Sequence, residues 1–428
     1  MEKFDAIVVG GGPAGCAAAV TMARAGLDVL LFERGKYVGA KAMWGGAFFG
    51  PQLRQLFPEF LTEAPFERFV GRHAVSFMTN GASVAIDFRS TALATPPYNG
   101  YILLRARFDS WMAKKAEGAG AIVAAGMRVD DLVMRDKAVT GVRVGEEEFG
   151  ADVVVLADGV NSLLVEKAGL RRPFSAGDLK QGIKEIIELP RHVIEERFNL
   201  TGEQGAALEF VGACTRGLPG GGFIYTNKES LSVGVVVELA ALQRARVTAP
   251  ALLEEFKAHP DIRPLIEGGR TVEYSAHLIP FAGLAMVPRL QRDGIMVAGD
   301  AAALLLGTGL ILEGANFAVA SGVAAGEAVI GAKKEADFSA VSLSRYQRSL
   351  ESGFVLKDLQ TFRHAPGFLK NPRIYGPYAD AVVEIFERIL ENDGTPRKKS
   401  FAIMRDVLGK KVGIGRMLAD IWQMRKAL

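Results

Sequence analysis

The chain has 428 residues, 49% of them apolar and 23% charged, enough for two or three packed units around a large core. Its two cysteines, Cys16 and Cys214, exclude a disulfide framework, point to a reducing compartment and cannot supply the four thiolates of an iron–sulfur cluster. The net charge of +3 conceals an asymmetry: residues 397–428 carry nine Lys or Arg against two Asp, a net of +7, so the remainder carries −4. A basic tail on a mildly acidic body points to an acidic partner or an anionic surface.

Residues 4–9 read as a short apolar strand leading into Gly10-Gly11-Gly12-Pro13-Ala14-Gly15. A small-residue helix over 16–25 follows, then Gly26 and a second strand over 29–32 that ends on Glu33. In such a unit Gly10 permits the tight turn, Gly12 lets backbone approach a pyrophosphate, and Gly15 lets the helix pack on the strand. The helix N-terminus offers free N–H groups to the phosphates. Glu33 lies 21 residues after Gly12, where a carboxylate accepts ribose hydroxyls. Residues 6–23 carry no charge, as a signal peptide or anchor does, but four glycines and Pro13 make a poor lipid-facing helix.

Further strands are predicted at 121–123 and 153–157, the latter running into Asp158-Gly159. Alternation and turns dominate 182–237, with a hairpin signature over 222–237. A strand over 295–298 delivers Gly299-Asp300, and a helix is expected directly after it. Helical patterning returns over 314–329 and fills most of the chain beyond 338. The longest later uncharged run, 301–312, is too short to span a bilayer and is interrupted by Gly307 and Gly309.

Asp158 and Asp300 each sit at the carboxyl end of an apolar strand, where ligands bind in open α/β sheets. Asp300 is thus expected to place a ribityl hydroxyl or pyrophosphate against the helix that follows it.

Together and in this order, these motifs resemble the flavoprotein family of aromatic hydroxylases and their relatives, which bind FAD non-covalently. The implied fold is α/β, a Rossmann-like FAD-binding domain of the aromatic hydroxylase/glutathione reductase type interleaved with a sheet-rich substrate domain. The expected boundaries are 1–65, 100–175 and 275–335 for the FAD domain, 66–99 and 176–274 for the substrate domain, and 336–428 for a helical C-terminal region. The family's arginine ahead of Phe-Asp falls on Arg105, before Phe108-Asp109, and is implied to lie near the flavin or pyrophosphate. Only one dinucleotide fingerprint is present and no cysteine pair lies near 39–50, which argues against the disulfide reductases.

Three stretches, 39–46, 218–234 and 273–280, with 354–359, resemble the FixC family, flavin subunits related to electron transfer flavoprotein–quinone oxidoreductase. That family's Gly-x-Lys…Gly-Gly pattern stands at Gly39, Lys41, Gly45 and Gly46, with Ala42, Met43 and Trp44 in place of expected polar residues. The resemblance implies a cofactor set that also includes Pro13, Ala14, Arg34, Val129, Ala157, Gly159, Gly314, Ala315 and Asn316. It places quinone carbonyls against Gly220 and Gly221, where Pro219 replaces the tyrosine of the fused enzymes, and His277 near the flavin. It further implies an electron transfer flavoprotein heterodimer as donor, a separate ferredoxin-like iron–sulfur subunit, a quinone acceptor and an electron-bifurcating complex.

The alternatives are a geranylgeranyl-reductase-type flavoprotein, whose Tyr-x-Trp-x-Phe-Pro stretch is absent, and a subunit that organises partners without its own quinone reaction. In the tail, Ile414, Met417, Leu418, Ile421 and Trp422 recur at helical spacing among Lys410, Lys411, Arg416, Arg425 and Lys426. This predicts an interfacial helix and peripheral attachment to the cytoplasmic face of a membrane, or a dock for an acidic subunit, the plain alternative being a terminal helix packed on its own domain, with no role for nucleic acid.

Overall fold

The computed structural model describes residues 2–41, 46–309 and 311–428. A central strand β1 (Glu2–Val9) leads through the glycine turn into helix α1 (Pro13–Arg24) and back along β2 (Val29–Glu33). β1 lies between β2 and β10 (Glu147–Leu156), both parallel to it, and the sheet extends to β7 (Ile122–Ala125) on one side. On the other side lie β17 (Ile295–Val297) and the short antiparallel β16 (Gln291–Arg292). A hairpin of β8 (Asp131–Arg135) and β9 (Ala138–Val144) hangs from β10. The uncharged run 6–23 is therefore strand, turn and buried helix.

α1 packs against the helix Ala315–Glu335 at very short range. A Cβ added at Gly322 would stand 2.1 Å from the Ala14 carbonyl oxygen, and one at Gly326 would stand 2.8 Å from Thr21 Cβ. Alanines on α1 and glycines on its partner are thus a packing requirement. Among the described residues, Ala315–Glu335 is the helix long and apolar enough to cross a membrane, and most of it is buried in the protein.

The second sheet runs β15 (Arg270–Pro280), β11 (Leu179–Glu188), β14 (Ser230–Glu238), β13 (Gly220–Thr226), β12 (Gln204–Gly212), β4 (Phe66–Met78), β6 (Gly100–Leu103) and β3 (Gly46–Phe49). Edge strand β5 (Ser83–Arg89) pairs with β4. Successive side chains alternate between faces. Ile183, Leu208, Ile224, Val233 and Val235 form one face and pack with Leu252, Leu253 and Phe256 of the helix Ala249–Ala258. The opposite face turns toward the first domain, because His277 and Ile279 of β15 line the cleft described below.

Residues 46–49 and 100–103 depart from the expected boundaries. They lie in stretches assigned above to the cofactor domain, yet they pair with each other and with β4 in the second sheet. Periodicity marks a strand but not its long-range partner.

The expected helix directly after Asp300 is replaced by a single turn, Gly299–Ala302, ended by Ala303 in the left-handed region. A short two-stranded ribbon follows, and the helix begins only at Ala315. The reason is burial: Leu304, Leu305 and Leu306 pack into the core instead of continuing a helical stripe.

Helices fill the C-terminal region. The last, Ile414–Ala427, is anchored by Asp420, which is 4% exposed. Its carboxylate accepts from Arg373 Nε at 2.7 Å, Asn371 Nδ2 at 2.8 Å and Tyr378 Oη at 3.0 Å. The helix therefore docks through a polar residue and leaves its apolar stripe outward: Ile414, Leu418, Ile421 and Trp422 are exposed.

Candidate cofactor and substrate site

Three glycines build the first wall, each for its own reason. Gly10 has φ +105°, and a Cβ there would lie 2.4 Å from the Ala157 carbonyl oxygen. A Cβ at Gly15 would lie 1.9 Å from the Gly10 carbonyl oxygen. Those two positions are closed by the fold. Gly12 differs, since its nearest neighbour would be Arg105 Nη2 at 3.9 Å, so its bare face looks into a cleft.

That cleft, about 500 Å³, gathers most of the residues singled out in the sequence. Gly10, Gly12, Pro13, Ala14, Glu33 and Arg34 line it from the first strand–helix–strand unit. Lys41, Arg105, Val129, Ala157, Asp158 and Gly159 join them from the following segments. Asp300, Gly314, Ala315 and His277 close the far part.

Gly15 and Gly299 lie behind this lining: a Cβ on Gly299 would meet Ala14 Cβ at 2.8 Å, and its N–H donates to Ser321 Oγ at 2.9 Å. Gly46 faces the ring of Tyr225, and Asn316 is buried with its amide donating to Glu313. Gly45, with Ala42, Met43 and Trp44, lies outside the described residues. Gly220 and Gly221 stand within β13 and are not among the cleft-lining residues. A Cβ on Gly220 would lie 2.2 Å from the Val236 carbonyl oxygen and one on Gly221 2.8 Å from the Phe210 carbonyl oxygen, and strand register sets Gly221 on the cleft-side face.

Two uncapped helix N-termini converge on the cleft, α1 with Pro13 in its first turn and Ala315–Glu335 after Gly314. Their unpaired N–H groups and dipoles favour an anion. Arg105 adds a fixed cation: Nε and Nη2 donate to the two Asp109 oxygens, both at 2.6 Å. Burial works against the Arg105 charge, but Asp109 outweighs it and its pKa rises.

Glu33 holds the turn itself. Its Oε2 accepts the Gly11 N–H at 2.9 Å and its Oε1 the Gly35 N–H at 2.7 Å. Asp158 accepts from Ser162 Oγ at 2.6 Å, and burial pushes its pKa up to about 6 against that hydrogen bond. Burial also raises Asp300 and lowers His277, each resisted by the opposite charge of the other.

Sequence reading missed Asp109 and Ser162, which line the cleft, and Lys184, which sits on the face of the second sheet that turns toward it. The signal for Lys184 was present in the alternation of β11, which sets Lys180, Gly182 and Lys184 on the face opposite apolar Ile183 and Ile187.

A long cleft that joins a glycine turn, two helix N-termini, a half-buried arginine and carboxylates at two strand ends fits a dinucleotide with an anionic centre and hydroxylated ends. FAD satisfies that description: the open face at Gly12 would admit its pyrophosphate, and Glu33 would retain lone pairs for a ribose.

Comparison with known proteins agrees. The chain matches the FAD dependent oxidoreductase family over residues 5–182, the ubiquinone-binding segment of ETF-QO over 180–279, and the ETF-QO/FixC family C-terminal domain over 365–428. It is 45% identical to "Probable electron transfer flavoprotein-quinone oxidoreductase YdiS" of Escherichia coli (strain K12), covering 98% of this chain and 97% of that one. It is 43% identical to Protein FixC of the same strain, again over 98% and 97%. Among solved structures, a geranylgeranyl bacteriochlorophyll reductase-like protein from Thermoplasma acidophilum shares the fold, with TM-score 0.75 at 19% identity over 99% of this chain and 100% of that chain. The chain is an FAD-dependent oxidoreductase and belongs to the FixC/ETF-QO family.

Proposed function

We propose that this protein takes electrons from an electron transfer flavoprotein heterodimer and passes them to a membrane quinone. In this reading it is the FixC-type subunit of a complex that divides electrons from NADH between quinone and a separate ferredoxin-like iron–sulfur subunit. The observation that carries the reading is the placement of β15: the segment matched to ubiquinone binding sets His277 and Ile279 directly in the cofactor cleft. Bound FAD supplies a carrier that takes electrons from a protein donor and hands them to a small acceptor. This chain's residues orient it, with Gly12 and Arg105 at the anionic centre and Glu33 at the adenosine end. Gly221 exposes backbone on the face where a flat quinone ring would lie.

The cysteines favour a separate iron–sulfur subunit. Cys16 and Cys214 are both buried, in different cores, and Cys16 Sγ donates to the Gly11 carbonyl oxygen at 3.2 Å. Association with the cytoplasmic face of the membrane is supported by the outward apolar stripe of Ile414–Ala427 and by exposed Phe401 and Leu390 nearby in the chain.

The decisive measurement combines FAD-loaded protein, a reduced electron transfer flavoprotein and a short-chain quinone. Reduction of the bound flavin by the donor, then its reoxidation by quinone, is expected. A flavin that the donor reduces but quinone leaves reduced would favour the partner-organising alternative. Loss of an isoprenoid double bond in place of quinone reduction would favour the reductase alternative.

A further inference from the structure

The cleft-side face of the second sheet carries two ionisable groups that the reading above does not use. Strand register places Lys184 of β11 beside Gly234 of β14, Gly234 beside Phe223 of β13, and Phe223 beside Glu209 of β12. The four form one row across four adjacent strands. At about 4.8 Å per strand the row spans about 14 Å from end to end. Phe223 floors its middle: a Cβ on Gly234 would stand 2.4 Å from Phe223 Cζ, so only glycine leaves the ring room to lie there. Tyr225 stacks on Phe223 with centroids 5.1 Å apart, extending the aromatic floor toward Gly46. The neighbouring row is His277, Gly182, Val236 and Gly221, which ties this floor to the cofactor cleft.

Lys184 is 3% exposed and makes no hydrogen bond or ion pair among the described residues. Glu209 is partly buried and likewise has no such partner among them. Holding a lysine buried and a glutamate partly buried without a partner among the described residues costs stability, and groups of this kind cluster where chemistry needs them. Quinone reduction needs an apolar slot with an acid at each carbonyl oxygen, because the ring takes up two electrons and two protons.

We propose that Lys184 and Glu209 protonate the two carbonyl oxygens of the quinone ring, which lies between them over Phe223. The inference rests on the quinone-reducing function proposed above. Bound, reduced FAD would supply the electron pair and give up its own two protons to water, and the quinone would become the quinol. One O–H bond forms as an ammonium N–H of Lys184 breaks, and the other forms as the carboxyl O–H of Glu209 breaks. The amine and carboxylate left behind recover their protons from water. Lys184 is faced by Glu273 of β15 and by Arg105, and it shares its surface with Lys180 and His277. Glu209 is faced by Tyr225, with His73 of β4 on the same side. Burial lowers Lys184 to about 8 and raises Glu209 to about 8, so both hold a proton at neutral pH and can release it.

The test uses full-length, FAD-loaded protein, reduced chemically and mixed with decylubiquinone while flavin absorbance is followed. Ferricenium serves beside it as an acceptor that takes no proton. Decylubiquinone binding to the oxidised protein is measured separately by equilibrium dialysis. In the parent, the quinone-dependent rate should fall above about pH 8, where both groups have lost the proton they donate. Lys184→Arg keeps the charge but binds its proton too tightly to give it up, and Glu209→Gln keeps the shape without the acid. Each should slow the quinone reaction about 100-fold and flatten its alkaline limb, while the ferricenium rate and decylubiquinone affinity stay within about threefold of the parent. Should Lys184→Arg fail to load FAD, Lys184→Gln carries the same expectation. A parental quinone rate and pH profile in both variants would overturn the proposal. A parent that is reoxidised by ferricenium but not by quinone would instead overturn the function itself, and this assignment with it.

Discussion

Glu33 grips the glycine turn from the end of the neighbouring strand: its two carboxylate oxygens accept the Gly11 and Gly35 N–H groups at 2.9 and 2.7 Å. The residue proposed to read a ribose therefore also fixes the loop proposed to receive the pyrophosphate. Glu33→Ala should destabilise the FAD-free protein by ~2 kcal/mol through loss of two charge-assisted hydrogen bonds, and should weaken FAD binding as well. Denaturant unfolding of the stripped protein separates the two effects, and unchanged stability would confine Glu33 to the ligand.

The three glycines of the turn should fail in different ways. Gly15→Ala drives a methyl into the Gly10 carbonyl and should cost several kcal/mol of fold stability, roughly the cost of severe overpacking. Gly12→Val meets little protein and should give a folded but colourless product, since its side chain occupies the pyrophosphate's place. Circular dichroism and flavin absorbance on both variants decide the matter. A yellow Gly12→Val protein with normal FAD content sinks the assignment.

Asp300 no longer has a following helix to share its ligand with, yet it faces the cleft beside Gly314 and the charges of His277 and Arg105. Asp300→Ala should raise the FAD dissociation constant by an amount worth ~1–3 kcal/mol, as expected for a lost charge-assisted hydrogen bond. Fluorescence titration of stripped protein with FAD measures this, and an unaltered constant would count against the role.

Glu209 also predicts a pH dependence of stability. Burial raises its pKa from 4.5 to about 8, so between those values the folded chain holds a proton that the unfolded chain has lost. Its contribution is thus complete below pH 4.5 and lost as pH rises through 8. Glu209→Gln should match the parent near the acid end and exceed it at the alkaline end by up to ~5 kcal/mol, at ~1.4 kcal/mol per pH unit. Thermal melts across that range check the sign: a parent that gains on the variant as pH rises would exclude a buried, protonated Glu209.

The C-terminal helix turns Trp422 and Leu418 outward because the side chains it buries are those of Asp420 and Ala427. Flotation with anionic liposomes should recover the full chain at low salt and less of it at high salt, and should recover little of a chain lacking residues 397–428. Equal flotation of both chains at both salt concentrations would show that the tail is not the anchor.

What the sequence determined alone was local. The turn at 10–15, the strand ending on Glu33, the strand ends at Asp158 and Asp300 and the hairpin of β13 and β14 all follow from spacings of a few residues, because turn geometry and side-chain alternation act over that range. The apolar stripe of the tail was legible for the same reason, but its exposure was not. Tertiary structure decided the rest. Nothing in residues 46–49 or 100–103 names the sheet they join, and the leucines after Asp300 end their helical turn only because a core is there to receive them. Lys184 and Glu209 stand 25 residues apart, and only the order of β11, β14, β13 and β12 brings them into one row. Strand pairing is a long-range event, its register set by which face each strand can bury, and that choice needs the whole fold.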